Sequence, residues 1–227
     1  MLYRNPIWIY PNYLNEEECN IIEGCASRID WIDGMIGQKN ADPDAPKDDQ
    51  ETGNKNAKIR QSDLKWMNHE VMPFEITQKI EIGIQSANQE AGWNLIWDYI
   101  EPHQYTRYIH RPTEHTPGDH YTWHVDQHVM PTPEGKYRKL SSTIQLSDPD
   151  DYEGGHFEYI EFNSVFDKLG TYNTQIDVGP FKKSIPFSAK AKGTLIVFPS
   201  DTYHQVTPVT RGERRSLVSW FHGPKAV

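Results

Sequence analysis

Two stretches of the chain carry apolar residues at helical spacing, and most of the remainder does not. In "LNEEECNIIEGCASRID", apolar side chains fall at positions 21, 22, 25, 26 and 29, along one side of a 3.6-residue turn. Asn15 stands three residues before Glu18, the spacing at which side chain and backbone cap each other at a helix start. A second helix is predicted from Pro73 to about Ala91, where Ile76, Ile80, Ile84 and Ala87 share a face. Residues 34–57, "GMIGQKNADPDAPKDDQETGNKNA", separate the two with almost no apolar side chain, the texture of a mobile surface loop. Loops of that length in a compact domain are usually disordered or functional, which makes this one a candidate lid over a peptide.

Beyond "AGW" the period shortens. "NLIWDYI", "QYTRYI", "RKLSSTIQL", "HFEYIEF", "GTLIVF", "HQVTPVT" and "RRSLVSWF" are short apolar or β-branched runs broken by turn residues. Strands at such intervals predict a sandwich or jelly roll. The expected fold class is mainly β, in an α+β setting. It is one domain over residues 1–227, with N-terminal helical support to about residue 92 and a β-rich core from about residue 93. No internal repeat is visible, and biased composition is confined to residues 34–57.

A chain of 227 residues can bury a sizeable core without disulfides or a structural metal. Its formal charge of −9 repels a phosphate backbone, and no window gathers enough lysine and arginine to reverse that locally, so nucleic acid is not an expected partner. Cys19 and Cys25, the only cysteines, point to largely opposite sides of the first helix and read as reduced thiols of an intracellular protein. The N-terminal "MLYRNPIWIYPNYLNEEE" meets proline and charge before any long apolar run. Neither signal peptide nor membrane span is expected, and the cytoplasm is the default location. No feature of the sequence sets an oligomeric state.

Candidate chemistry concentrates in "HYTWHVDQH", where His120, His124, Asp126 and His128 fall within nine positions of a chain holding ten histidines. Composition alone gives about 0.7 His-x-Asp triplets in such a chain. "HVD" is therefore weak by itself, and "HFE" at 156–158 competes with it. His120, His124 and His128 would also stack on one face of a helix as a zinc-binding stripe. The flanking Pro117, Gly118, Pro131 and Pro133 and the aromatic content favour a strand. On a strand, alternation puts His120, Thr122, His124, Asp126 and His128 on one face, so that His124 and Asp126 can converge on one ion. A polar, solvent-facing strand edge is the alternative. Trp123 then points to the opposite side, into core packing.

Downstream, "GTLIVFPSDTYHQVTPVTRGERRSLVSW" offers a buried strand, a turn, an isolated His204 and, ten residues later, Arg214 on a final strand. Two imidazoles and one carboxylate on a face of a metal leave three positions open, an arrangement suited to non-haem Fe(II) and oxygen chemistry. His124, Asp126 and His204 could supply it. Alternation places Arg214, Ser216, Val218 and Trp220 on one face of the last strand and Arg215, Leu217, Ser219 and Phe221 on the other. An inward guanidinium requires an anion, and a dicarboxylate would meet it through a bidentate contact. The opposite register, with Arg215 inward, stays open. Trp220 is either a pocket-lining residue or plain packing.

The segments "QYTRY", "GDHYTWHVD", "RKLSSTIQLSDPDDYEGGHFEY" and "KGTLIVFPSDTYHQVTPVTRGERRSLVSW" follow the order found in the Fe(II)- and 2-oxoglutarate-dependent oxygenases. The chain resembles their prolyl 4-hydroxylase-like group over roughly residues 100–223. The resemblance implies a double-stranded β-helix (jelly-roll) core, Fe(II) held by His124, Asp126 and His204, and 2-oxoglutarate with its distal carboxylate on Arg214. It also implies that Tyr121 hydrogen-bonds that carboxylate and that Ser216 adds a hydroxyl in an Arg-x-Ser pattern. His120 and His128 are then supporting or surface residues, and His156 and Glu158 structural ones. The chain departs from the family pattern at "IHRPTEHTP", a longer connection before the metal strand that borders substrate access. His110, Glu114 and His115 there read as a solvated loop rather than a second metal site.

The implied activity is O2-dependent hydroxylation of a substrate C–H bond, coupled to conversion of 2-oxoglutarate to succinate and CO2, with ascorbate as a candidate reductant. A prolyl residue of a peptide or protein is the expected substrate. Hydroxylation of a free amino acid or small metabolite on the same core is one alternative. A metal-binding jelly roll without catalysis, serving as a binding module, is the other, because fold alone does not establish activity.

Overall fold

The computed structural model describes residues 5–34, 57–127, 131–161 and 181–224. The expected lid at 34–57 falls outside these residues except for its two ends, and His128 lies outside them as well. Helix α1 spans Glu16–Ala26 and α2 spans Phe74–Glu90, where the apolar spacing predicts them. The Asn15 side chain accepts from the Glu18 backbone N–H while the Glu18 carboxylate accepts from Asn15 N–H, closing a reciprocal cap. Ile22 and Ala26 of α1 and Ile76, Ile80, Ile84 and Ala87 of α2 are buried in one cluster. Lys79 ties the helices together through Glu18 at 2.7 Å. Cys19 and Cys25 are free thiols, and both lie in that cluster. Six residues leave them about 120° apart on a helix, and the buried arc of α1 is wide enough to hold both.

Strands β1 (Trp8–Tyr10), β2 (Ile32–Asp33), β3 (Arg60–Gln61) and β4 (Asp63–Met67) come from the part of the chain read as helical support. β1, β2 and β3 are too short to show a period of two, and β4 hides because Asp63 and Lys65 are buried in it beside Leu64. The remaining strands are β5 (Tyr99–Ile100), β6 (His103–Ile109), β7 (His120–His124), β8 (Tyr137–Gln145), β9 (Tyr152–Gly154), β10 (Phe157–Ile160), β11 (Lys182–Ser184), β12 (Leu195–Pro199), β13 (His204–Val206) and β14 (Val209–Gly223). The larger of two sheets runs β1-β12-β8-β14-β6-β4-β2, with β5 and β9 also paired to β14. The smaller runs β11-β10-β13-β7-β3. All the pairings are antiparallel.

The larger sheet is covered on both faces. In β12, Leu195 and Val197 join the helix-side core, whereas Ile196 and Phe198 pack with Phe157 of the smaller sheet. An unbroken apolar run such as "LIVF" marks a strand buried in this way. In β14, Leu217 and Phe221 likewise face the helices. Truncating Leu217 to alanine is expected to cost about 2–5 kcal/mol. Among the described residues, no helix is long and apolar enough to cross a membrane.

Candidate metal centre and the cavity behind it

Strands β7 and β13 are neighbours in the smaller sheet, and their register makes His124 and His204 cross-strand partners. Asp126 arrives from a bend just past the end of β7, not from strand alternation. The ligand atoms of His124, Asp126 and His204 all lie within 4.8 Å of one another. His124 Nε2 is 3.6 Å from one Asp126 oxygen, and His204 Nε2 is 3.8 Å from the other. These gaps are too long for hydrogen bonds, yet a single ion about 2.1 Å from each donor would span them.

Each imidazole is oriented by its own backbone. His124 Nδ1 meets the Thr122 carbonyl at 2.7 Å, and His204 Nδ1 meets the Thr202 carbonyl at 2.9 Å. A carbonyl can only accept, so both Nδ1 atoms carry a proton and both Nε2 atoms are turned toward the position a metal would take. Burial, with His124 close by, lowers the His204 pKa to about 4, so the ring is neutral, as a ligand must be, at pH 7. Burial pushes the Asp126 carboxyl upward, but His204, His124 and Arg138 outweigh it and hold the group well below the usual carboxylate range. Two imidazole nitrogens and one carboxylate are the donor set of a facial site. Among the described residues no fourth His, Cys, Asp or Glu joins the group, which leaves coordination positions for ligands entering from the cavity.

That cavity runs between the sheets, from the metal donors to Arg214. Arg214, Ser216, Val218 and Trp220 of β14 all line it. Arg215 turns the other way, onto Glu23 of α1 at 2.5 Å, which fixes the register left open by the sequence. Arg214 is 2% exposed. It donates to Gln145 Oε1 at 3.1 Å, and among the described residues no carboxylate pairs with it. Among the described residues, Gln145 Nε2, Ser142 Oγ and Trp220 Nε1 are buried without hydrogen-bond partners. A buried cation beside unpartnered polar atoms is costly unless a polar anion meets them, so the cavity fits a dicarboxylate. The "YEGG" motif makes room for the arginine: Gly155 has φ of +56°, and a Cβ there would lie 2.9 Å from Arg214 Cδ.

Tyr121 enters the cavity through a β-bulge. His204 pairs with His124 but Val206 pairs with Tyr121, so Thr122 and Trp123 together oppose Gln205 alone. The extra residue resets the alternation and brings Tyr121 to the face of His124, where the rings stack at 3.5 Å and 14°. Burial pushes the Tyr121 phenol up to about 12. Trp123 turns away and stacks on Tyr203, as expected for packing. The expected shared face of His120, Thr122, His124 and Asp126 does not form, because the bulge and the end of β7 break the period. His120 is buried with its ring nitrogens at the carbonyls of Gly118 and Lys58. His110, Glu114 and His115 are exposed and join no metal group among the described residues. His156 is also exposed, whereas Glu158 binds Lys182 and Gln205 within the smaller sheet.

Several cavity residues were not singled out from the sequence: Arg60, Gln104, Tyr108, Ser142, Phe157 and Phe198 line it, and Gln145 holds Arg214. Tyr108 is the cross-strand partner of Arg214, its ring 5.6 Å from the guanidinium, and burial raises its phenol pKa. A readable signal existed, since Gln104, Thr106 and Tyr108 alternate on β6 as Arg214 and Ser216 do on β14. Next to Trp220, Arg138 lies over the indole ring at 4.0 Å and forks onto Glu101 at 2.6 and 2.7 Å.

A PKHD-type hydroxylase of Sphingopyxis alaskensis is 34% identical over 153 residues, 67% of this chain and 58% of that protein. Another, from Shewanella baltica, is 36% identical over 104 residues, 45% of this chain and 38% of that protein. The chain thus spans less than two thirds of the length of either relative. A Pseudomonas putida prolyl-4-hydroxylase structure superposes with a TM-score of 0.56 at 18% identity, covering 96% of this chain and 92% of that one. A viral collagen prolyl hydroxylase from Paramecium Bursaria Chlorella virus-1 superposes with a TM-score of 0.58 at 18% identity, covering 97% of both chains. At that identity the likeness speaks for the fold, the expected jelly roll. Residues 103–222, more than half of the chain and the stretch that carries the three metal donors and Arg214, match the 2OG-Fe(II) oxygenase superfamily, and the chain belongs to it.

Proposed function

We propose that the protein is a 2-oxoglutarate-dependent dioxygenase that hydroxylates a C–H bond, with a prolyl residue of a peptide or protein as its substrate. The observation that carries this reading is one cavity with an open His124, Asp126 and His204 set at one end and, at the other, the buried Arg214, which no carboxylate among the described residues meets. The family's reagents are Fe(II), 2-oxoglutarate and O2, with ascorbate as the reductant. Bound Fe(II) would supply the oxygen activation that a protein side chain cannot.

The chain's own residues bind, orient and exclude water. Arg214 anchors the distal carboxylate of 2-oxoglutarate through a charge-assisted fork. Ser216 and Tyr121 contribute hydroxyls from the same cavity, joined by Tyr108 at the register position of Arg214. Phe157, Phe198, Val206 and Val218 keep bulk water from the reacting end. The peptide preference is supported by the solved relatives, among them a Trichoplax adhaerens prolyl hydroxylase bound to a hypoxia inducible factor peptide fragment. A single oxygenase domain and a cytoplasmic location complete the reading, the latter supported by two free thiols.

Incubation with Fe(II), 2-oxoglutarate, O2 and either proline-rich peptides or free amino acids tests the proposal. Succinate release together with gain of one oxygen atom on a prolyl peptide is the expected result. Oxygen gain on a free amino acid alone would move the assignment to a metabolite hydroxylase. Absence of succinate under every condition would leave only a binding module.

A further inference from the structure

We infer that Arg60 is a positioning residue for the metal centre: it clamps Tyr121 against His124 and so sets the plane of the first imidazole ligand. The inference rests on reading His124, Asp126 and His204 as the metal-holding set. Arg60 of β3 is the cross-strand partner of Tyr121 of β7. Its guanidinium carbon lies 4.7 Å from the centroid of the Tyr121 ring. The His124 imidazole already covers one face of that ring at 3.5 Å and 14°, so the guanidinium occupies the other. Cation, phenol and imidazole form a three-layer stack ending on a metal ligand.

The outer layer is held firmly. Arg60 is 8% exposed, its Nε donates to Ser62 Oγ at 2.9 Å, and its Nη2 donates to Gln104 Oε1 at 2.8 Å. The planar fork meets both acceptors while its central carbon lies over the aromatic ring, a combination of contacts that lysine cannot copy. Gly34 closes the site from outside, because a Cβ there would lie 2.8 Å from Arg60 Nε and 2.3 Å from Ser62 Oγ. Such support is needed where it occurs. Tyr121 sits on the bulged part of β7, where the ladder to β13 is irregular, and the bond from His124 Nδ1 to Thr122 leaves the tilt of the imidazole undetermined. The stack supplies that missing constraint.

Anaerobic titration of the whole chain with Co(II), followed by its visible ligand-field absorption, reports on the metal site without turnover. Arg60→Met is expected to weaken Co(II) binding about tenfold and to shift the absorption bands, the usual scale for groups that orient a ligand. Arg60→Lys gives a smaller loss in the same direction. Gly34→Ala, which displaces the arginine without changing it, follows Arg60→Met. In a Tyr121→Leu background, Arg60→Met is expected to cost less than about twofold, because the layer it acts through is gone. Should Arg60→Met fail to fold by its thermal melt, Arg60→Lys and Gly34→Ala carry the same comparison. A wild-type chain that takes up no Co(II), or a His124→Ala chain that binds as well as wild type, defeats the metal-site reading itself. Binding that His124→Ala abolishes but the Arg60 variants leave unchanged, or weaken equally with Leu at 121, overturns the role of Arg60 alone.

Discussion

The two sheets build the two ends of the cavity by different means. In the larger sheet, β14 pairs with β8 from Ser216↔Gln145 to Phe221↔Leu140 without a shift, and with β6 from Glu213↔Ile109 to Val218↔Gln104. Alternation is therefore strict, and each second residue from Arg214 to Trp220 reaches the cavity. In the smaller sheet, β13 is three residues long and its ladder to β7 is shifted within that length. There His124 and His204 are direct cross-strand partners, a bend brings Asp126 to them, and a bulge brings Tyr121 to the same face. A regular ladder presents a row of side chains at fixed spacing, which suits a long ligand. Convergence on a point here uses a bend past the end of β7 to add Asp126 to the paired histidines.

The largest expected effect breaks the point. Asp126→Ala removes the only carboxylate of the set, and succinate formation from 2-oxoglutarate is expected to fall by at least about a thousandfold. Retained turnover and retained metal binding in this variant would mean that the smaller sheet is not the metal wall. Next comes the row. Arg214→Met is expected to raise the KM for 2-oxoglutarate by about 100-fold or more, the scale for truncating one partner of a buried charge pair. Co(II) binding should be nearly unchanged. Because the guanidinium has no carboxylate partner among the described residues, the ligand-free variant should melt no lower than wild type.

The same contrast governs what could be read from the chain. The face of Arg214, Ser216, Val218 and Trp220 was legible by counting in twos, because the ladder does not slip between Glu213 and Phe221. On β7 the same counting fails: it groups His120 and Thr122 with His124, and it sends Tyr121 to the wrong side. A bulge adds a residue without leaving a compositional mark. His124, Asp126 and His204 were legible as donor types, but nothing local to 120–128 or to 204 says that these segments pair. Gln104, Tyr108 and Gln145 were passed over for another reason. A polar residue on a buried strand looks ordinary until the cation across the ladder is known.

Gly155→Ala sharpens the comparison from the turn that joins the sheets. With φ of +56° and a Cβ 2.9 Å from Arg214 Cδ, the substitution strains the backbone and crowds the arginine. A loss of about 1–3 kcal/mol in stability and a KM for 2-oxoglutarate raised about tenfold are expected. An unchanged KM would show that Arg214 does not depend on the turn.

Each sheet also contains a histidine lowered to about 4 by burial: His204 in the smaller and His103 in the larger. His103 Nδ1 lies 2.7 Å from Ser219 Oγ, away from the metal donors. An unfolded histidine titrates near 6.5. Between about 6.5 and 4 the unfolded chain binds a proton that folded His103 refuses. Stability from this group is complete above that window and declines as pH falls through it. In the metal-free protein, His103→Gln is expected to spare about 1–2 kcal/mol of the loss between pH 7 and pH 5, measured by denaturant melts. An identical pH profile in the variant would assign the whole acid loss to other groups.

The smallest effect tests register most directly, because a slip of one position exchanges Arg214 for its neighbour. Arg215 reaches Glu23 of α1 at 2.5 Å, with side chains 29% and 23% exposed. The pair is partly solvated, so Arg215→Met is expected to lower stability by only about 0.5–1 kcal/mol. The KM for 2-oxoglutarate should stay within about twofold, since no atom of Arg215 lines the cavity. Adding Glu23→Gln should then cost little more, because the two changes remove one interaction. A KM rise in Arg215→Met as large as that in Arg214→Met would put the anion on the helix-facing side of β14. The even spacing that makes the larger sheet a row of ligand contacts would then serve the opposite face, and the division of labour between the sheets would have to be redrawn.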